Sequence, residues 1–276
     1  FDAVVDEIVR VDPDIVMLSE ADNRDGVLIV PRFIEALQKK GKDYFGESSS
    51  LDVALLSKYP LSEQTENIPH KDRVIRTRLD VKGKQVVVYT GHLDYTHYAC
   101  YLPRGYSGVT WKKLDAPVTD VTEIEKANSE SLRDESIRLV IEDAKKQQAD
   151  FIILGGDFNE PSHLDWTEET KEMWDHNGTV VHWDCSTLLY EAGFRDAYRV
   201  KYPDPVTHPG FTFPSDNPDM PVERLTWAPE ADERDRIDFI YYMPAAGWEV
   251  NEAVVVGPKS SIVRSRRVEE DSQDSF

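Results

Sequence analysis

Four apolar stretches of this 276-residue chain end on, or enclose, a residue able to do chemistry. Glu20 closes "PDIVMLSE", His92 follows the run "VVVYTG", Asp157 and Asn159 stand two positions apart in "FIILGGDFNEP", and Asp238 lies inside "DRIDFIYY". Each has a plain account. Asp, Asn, Gly and Pro are turn residues, a lone histidine is usually satisfied within a core, and Asp238 could pair with Arg236. These accounts do not explain the repetition, because buried carboxylates are rare unless paired or bound to metal. Open α/β sheets hold ligands beyond the carboxyl ends of their strands. Carboxylates with a carboxamide suit a hard cation such as Mg²⁺, which keeps some waters and shares phosphate oxygens. A histidine beside them can donate to a phosphate oxygen or move a proton near neutral pH. Together they are the inventory of metal-assisted phosphoester hydrolysis.

Alternating strands and helices must position these groups. "PDIVMLSE" reads as a fully buried strand, and "VPRFIEALQKKGK" as an amphipathic helix with Gly41 as its C-cap. A helical stripe of Val4 or Val5, Ile8 and Val9 starts at residue 1 without a capping lead-in, which suggests a trimmed start. "LDVALLSKYPL" is a strand running into a turn, and "RVIRTRLDVKGKQVVVYTGHLD" a β-hairpin turning at Lys82-Gly83-Lys84. Periodicity is lost from Tyr95 to about Asn128, a length that marks a functional or decorated loop. "SLRDESIRLVIEDAKKQQ" restores a helix with Leu132, Ile137, Val140, Ile141 and Ala144 on its buried side. The "FIILGGDFN" strand, a helix near "CSTLLYEAGFRDAY", and the strands "RIDFIYY" and "EAVVVG" follow. One α/β domain with a mixed sheet, or two packed sheets, accounts for this order.

Composition narrows the function. Thirty-two Lys and Arg stand against 52 Asp and Glu, a net charge of −20. Duplex DNA is gripped mainly by Lys and Arg, so a general duplex binder is disfavoured. The basic candidates are Arg73, Arg76 and Arg78 in "HKDRVIRTR" and Arg264, Arg266 and Arg267 in "RSRR". Alternation in "RVIRTRLDV" reads as the solvent face of a strand. Cys100 and Cys185 lack zinc-site spacing and are expected to be unpaired thiols. No apolar run approaches the ~18 residues of a membrane span.

In order along the chain, "PDIVMLSEAD", "VALLSKYPL", "VVVYTGHLDY", "ILGGDFNEPS", "GFTFPSDNP" and "DERDRIDFIYY" resemble the endonuclease/exonuclease/phosphatase superfamily with the deoxyribonuclease-I-like fold. "GHLD", then "GGDFN", then "RID" about 80 residues later is the specific combination. The resemblance implies a four-layer α/β sandwich, two packed mixed β-sheets flanked by helices. It implies that Glu20 ligates the metal and that His92 contacts the scissile phosphate. It further implies that Asp157 orients or deprotonates the attacking water, that Asn159 positions Asp157 and the phosphate, and that Asp238 supports the cluster. Mg²⁺ is the expected cofactor, with Mn²⁺ or Ca²⁺ able to substitute.

Residues 1–276 are expected to form a single such domain lacking the family's first strand and its terminal Ser-Asp-His segment, which would leave two sheet edges unpaired. The expected activity is hydrolysis of a phosphodiester or phosphomonoester, small or of lipid or sugar type, by a monomer. Action on nucleic acid and a catalytically inactive binding module are the alternatives. Retention of all five site residues speaks against the module. After the histidine motif, Tyr95, His97, Tyr98 and Arg104 are expected to form an aromatic, singly basic substrate wall.

Overall fold

The computed structural model describes residues 1–23, 26–66, 73–258 and 260–269. Helix α1 (Asp2–Val11) leads into β1 (Ile15–Leu18), α2 (Ile29–Lys39), β2 (Phe45–Gly46) and β3 (Ala54–Ser57). Next come β4 (Leu61–Thr65), β5 (Arg73–Val81), β6 (Lys84–His92), α3 (Val121–Ser129), α4 (Arg133–Ala144) and β7 (Phe151–Asp157). The chain continues through α5 (Asp184–Glu191), β8 (Arg195–Asp196), α6 (Ala197–Lys201), β9 (Asp238–Met243), β10 (Ser260–Val263) and β11 (Arg266–Glu269).

The strands form a three-stranded sheet in the order β1-β3-β2, a six-stranded sheet in the order β4-β5-β6-β7-β9-β8, and a separate β10-β11 hairpin. Both larger sheets are buried on two faces because alternate side chains enter different cores. On β3, Ala54 and Leu56 face α1 and α2, alongside Phe33 and Leu37. Val53 and Leu55 at the same strand join Val86 and Val88 of β6 between the sheets. Val87 and Tyr89 of β6, with Ile152 and Leu154 of β7, face α4 and α5. Helices, sheet, sheet and helices make four layers, as the motifs imply. Only the six-stranded sheet is mixed, through the parallel β6–β7 pair; the three-stranded sheet is wholly antiparallel.

The β5–β6 hairpin pairs Val81 with Lys84, leaving Lys82 (φ 54°) and Gly83 (φ 82°) as a two-residue turn with both residues at positive φ. Several expectations need correction. Strand β1 is half-buried, not fully buried, because it is the edge of its sheet. "EAVVVG" forms no extended strand among the described residues, and Val254 and Val256 remain exposed. The Tyr95–Asn128 segment, expected to be functional or decorated, is built of local elements. It contains a 3₁₀ turn (Ala99–Tyr101) and most of α3. Its aromatics build a core of their own with Trp166 and Trp183. The signal was present in "DVTE": Asp120 caps α3 by accepting from the Thr122 and Glu123 N–H groups. Among the described residues, the outer edge of β1 and the first residues of β9 have no ladder partner on one side.

Candidate active site

Strand registry assembles the site. In the parallel β6–β7 pair His92 stands opposite Asp157, and in the antiparallel β7–β9 pair Asp157 stands opposite Asp238. Three chemically competent side chains thus occupy one row across three neighbouring strands. Asp238 is the first residue of β9, and antiparallel pairing brings that start to the carboxyl ends of β6 and β7.

Close approach of the backbones depends on the glycines before Asp157. Gly156 (φ 134°) faces Gly91 in register, and a Cβ there would stand 1.9 Å from the Gly91 carbonyl oxygen. The Ser19 hydroxyl donates to that same oxygen at 3.2 Å and accepts from the Asp157 N–H at 3.2 Å. It therefore pins the end of β1 to the row. Glu20 follows at φ 55°, exposed, while Ala21 N–H donates to Asp52 O at 2.6 Å.

His92 is buried, and its Nδ1 lies 2.9 Å from Asp52 Oδ2. An ionised carboxylate can only accept, so Nδ1 carries the proton in that contact. The opposite nitrogen, Nε2, faces Asp157 Oδ2 at 3.8 Å. Asp157 Oδ1 accepts the Asn159 N–H at 2.8 Å, closing an Asx turn. Asn159 (φ 48°) spends its Nδ2 on Leu93 O at 3.0 Å, and Leu93 N–H donates to Asp157 O at 2.9 Å. Thr212 Oγ1 accepts the N–H groups of Ile237 and Asp238, at 3.1 and 3.2 Å.

Electrostatics follow from this crowding. Burial pushes the Asp157 carboxyl well above the usual carboxylate range, and the Asp238 and Glu20 charges add to the effect. Asp238 is also pushed up, by burial, against the opposing hydrogen bond of Thr212. It keeps an exposed face toward the cleft even so. Two carboxyls facing one another disfavour double ionisation. The donor set is all oxygen and strongly anionic, which fits a hard divalent cation. Among the described residues no three acidic, histidine or cysteine side chains close a cage alone. A cation held by Glu20 with the two aspartates nearby would therefore share water and phosphate oxygens.

Asp238 does not pair with Arg236. That guanidinium bonds Asp165 and Asp196. Two expected wall residues also move. Tyr98 is 4% and Arg104 is 5% exposed. The Arg104 guanidinium is paired with Asp235 and donates to the carbonyls of Trp174 and Arg234. A desolvated cation needs such partners, so it braces the aromatic core and lines no wall. Tyr95 is 56% exposed directly after the histidine strand, and His97 is half-buried with Nδ1 at 3.1 Å from Thr96 Oγ1. Asp52, Ser19 and Thr212 were not anticipated.

Residues 1–261 match the model of the Endonuclease/Exonuclease/phosphatase family. The chain belongs to this family. Family members are hydrolases acting on phosphoesters and generally use divalent metal. A Caenorhabditis elegans relative, uncharacterized protein F14F9.5, is 44% identical over 91 residues, 33% of this chain and 27% of that protein. The aligned part thus spans about a quarter of that relative. The crystal structure of D. rerio TDP2 humanized by 14 mutations superposes with a TM-score of 0.50 at 16% identity, over 90% of this chain and 78% of that one. A family member from Bacteroides vulgatus gives a TM-score of 0.46 at 17% identity, over 88% and 78%. The fold is the deoxyribonuclease-I-like fold of the endonuclease/exonuclease/phosphatase family. The two free cysteines are both buried.

Proposed function

We propose that the protein is a divalent-metal-dependent hydrolase of a phosphoester, with Asp157 as the base for the attacking water. The registered row His92–Asp157–Asp238 is the observation that carries this reading. A carboxylate whose pKa is raised by burial and by Asp238 takes a proton from water more readily than a free one. Asn159 fixes one oxygen of Asp157 through its N–H, which leaves Oδ2 directed toward His92. His92 is held by Asp52, so Nε2 is aimed at the space beside Asp157 where a phosphate oxygen would lie. Glu20 is the residue proposed to hold Mg²⁺, which would supply neutralisation of charge on the phosphate oxygens.

The substrate class follows from where the cations are. Arg76 is engaged by Asp143 and Glu63, and Arg78 donates to Gln147 and to the Gln148 carbonyl. Arg264 pairs with Asp175, and Arg267 with Asp216. The Arg73 side chain lies outside the described residues. With Arg76, Arg78, Arg264 and Arg267 so occupied and Arg266 exposed, the chain suits a single phosphoester on a small, sugar or lipid-type alcohol better than a long duplex. A nucleic-acid end is the second reading, supported by the exposed Tyr95 ring three residues after His92, which offers a stacking face.

The test is a phosphoester panel with Mg²⁺ or with chelator: p-nitrophenyl phosphate, its bis-ester, a single-stranded oligonucleotide and a supercoiled plasmid. Chelator-sensitive cleavage of the small esters, lost in Asp157→Asn, is expected. Preferential plasmid nicking would overturn the substrate class, and no cleavage of any ester would overturn the enzyme.

A further inference from the structure

Behind the site lies a buried cation that the reaction scheme does not use. Arg133, the first residue of α4, is 1% exposed. Nε donates to Glu160 Oε2 at 3.3 Å. Nη1 donates to the carbonyls of Asp94 at 2.7 Å and Thr96 at 3.0 Å. Nη2 donates to the His97 carbonyl at 3.3 Å and to Asn128 Oδ1 at 2.7 Å. A guanidinium has five N–H groups, and each has its own acceptor. Glu160, also 1% exposed, completes the arrangement by accepting from Asn128 Nδ2 at 2.8 Å and from the Cys185 N–H at 2.7 Å.

The acceptors belong to segments that share no ladder. Asp94, Thr96 and His97 form the loop leaving β6 after His92. Glu160 directly follows Asn159, and Asn128 lies near the end of α3. The two loops meet at Leu93: Asn159 Nδ2 donates to its carbonyl oxygen, one residue before the carbonyls that Arg133 gathers. The exposed Tyr95 sits between two of those carbonyls. An ammonium cannot replace this fork, because three donors from one point cannot reach five separated acceptors.

We infer that Arg133 is a positioning residue: its guanidinium fixes the Asp94–His97 loop to the Asn159–Glu160 loop, and so sets where Asn159 stands against Asp157 and where Tyr95 meets substrate. The inference rests on the phosphoesterase reading for its effect on rate, and on geometry alone for its effect on loop order. A misplacement of about 1 Å at a site of this kind costs on the order of 10²-fold in rate.

The experiment has two arms on the full chain. In the first, hydrogen exchange compares wild type with Arg133→Lys. Peptides covering residues 93–98 and 158–161 are expected to exchange at least about tenfold faster, while the centres of β3 and β6 keep wild-type protection. Unchanged exchange in both loops overturns the clamp. In the second arm, Mg²⁺-dependent hydrolysis of bis(p-nitrophenyl) phosphate is measured in a cycle with Asn159→Ala. Arg133→Lys is expected to lower kcat about 10- to 100-fold in wild type, with KM moved less than about threefold, and to cost less than about threefold where Asn159 is already gone. Equal losses in both backgrounds overturn the route through Asn159. Should Arg133→Lys not fold, Asn128→Ala removes one acceptor, leaves the Arg133–Glu160 pair and carries the same two comparisons. A wild-type protein that cleaves no ester would refute the phosphoesterase reading, and the exchange arm would still decide the clamp.

Discussion

Replacing Gly156 by alanine should damage the fold and the site together. The new methyl carbon would stand 1.9 Å from the Gly91 carbonyl oxygen and 2.9 Å from its carbon. Carbon and oxygen approach no closer than about 3.3 Å even in favourable C–H···O contacts, so β6 and β7 would have to part by roughly 1 Å. Both obstructing atoms are backbone, which cannot swing aside as a side-chain tip can. A φ of 134° is also unfavourable for any residue with a Cβ, at about 1–3 kcal/mol. Weakening even two ladder hydrogen bonds adds about 2 kcal/mol. The expected loss is thus about 3–5 kcal/mol, or roughly 6–20 °C in Tm at about 2–4 °C per kcal/mol for a chain of this size. Parting the strands also separates His92 from Asp157, for a loss on the order of 10²-fold in kcat in whatever remains folded. Gly247→Ala is the control. It too has positive φ, at 83°, but meets nothing within 4 Å, and should cost only about 1–2 kcal/mol. Calorimetry and hydrolysis rates on both variants decide the matter. Equal Tm values for the two alanine variants would refute the argument.

Asp157→Asn should lower kcat by about 10²–10⁴ while leaving metal-free stability at neutral pH unchanged or higher. Burial and Asp238 disfavour the ionised carboxylate in the fold, and the amide removes that charge; an unchanged rate would exclude the base role. Asp52→Asn keeps the shape but offers His92 Nδ1 a partner that no longer fixes its proton. A loss on the order of 10- to 100-fold is expected, with Tm little altered, and wild-type kcat would show that Asp52 does not orient the ring. His176 is 1% exposed, stacked on Trp166 at 3.6 Å, and its pKa is depressed far below the ordinary imidazole value by burial and by Arg104. Its folded form stays neutral, so the stability it permits is full above about pH 6.5 and falls as pH drops below that value, by up to about 1.4 kcal/mol per pH unit. Urea unfolding of wild type and His176→Phe between pH 7 and 5 should show the variant losing less; parallel curves would refute it.

The layers were legible because the strands carry two kinds of apolar residue. In "VVVYTGH", Val86 and Val88 serve the inter-sheet core while Val87 and Tyr89 serve the helix side, so a continuous apolar run means burial on both faces. The same rule failed for "IVML" and "EAVVVG". An apolar run does not reveal whether its strand has neighbours on both edges, and among the described residues β1 has only one. The aromatic segment failed in the opposite direction. Its tyrosines and tryptophans have neither helical nor strand period, because they pack edge-on with one another, as Tyr98 does on Tyr101 at 4.8 Å. Tyr98 and Arg104, expected in a substrate wall because they follow the histidine motif, are buried in that packing instead.

Site residues divide in the same way. His92, Asp157, Asn159 and Asp238 are readable because each interrupts an apolar strand at its end, and a polar residue there conflicts with burial unless it has a use. Asp52, Ser19, Thr212 and Arg133 interrupt nothing. Asp52 meets its histidine across 40 residues and Ser19 meets Asp157 across 138. Arg133 stands at the start of an amphipathic helix, where a cation reads as solvent-facing until α3 and two loops close over it. Ser19, Thr212 and Arg133 are distinguished by the backbone groups they satisfy, and Asp52 by the histidine ring it holds, properties of the folded neighbourhood and not of the local string. A buried side chain that engages several loops loses more than one bond when it is changed, so the residues least visible in the sequence are expected to be among the most sensitive to substitution.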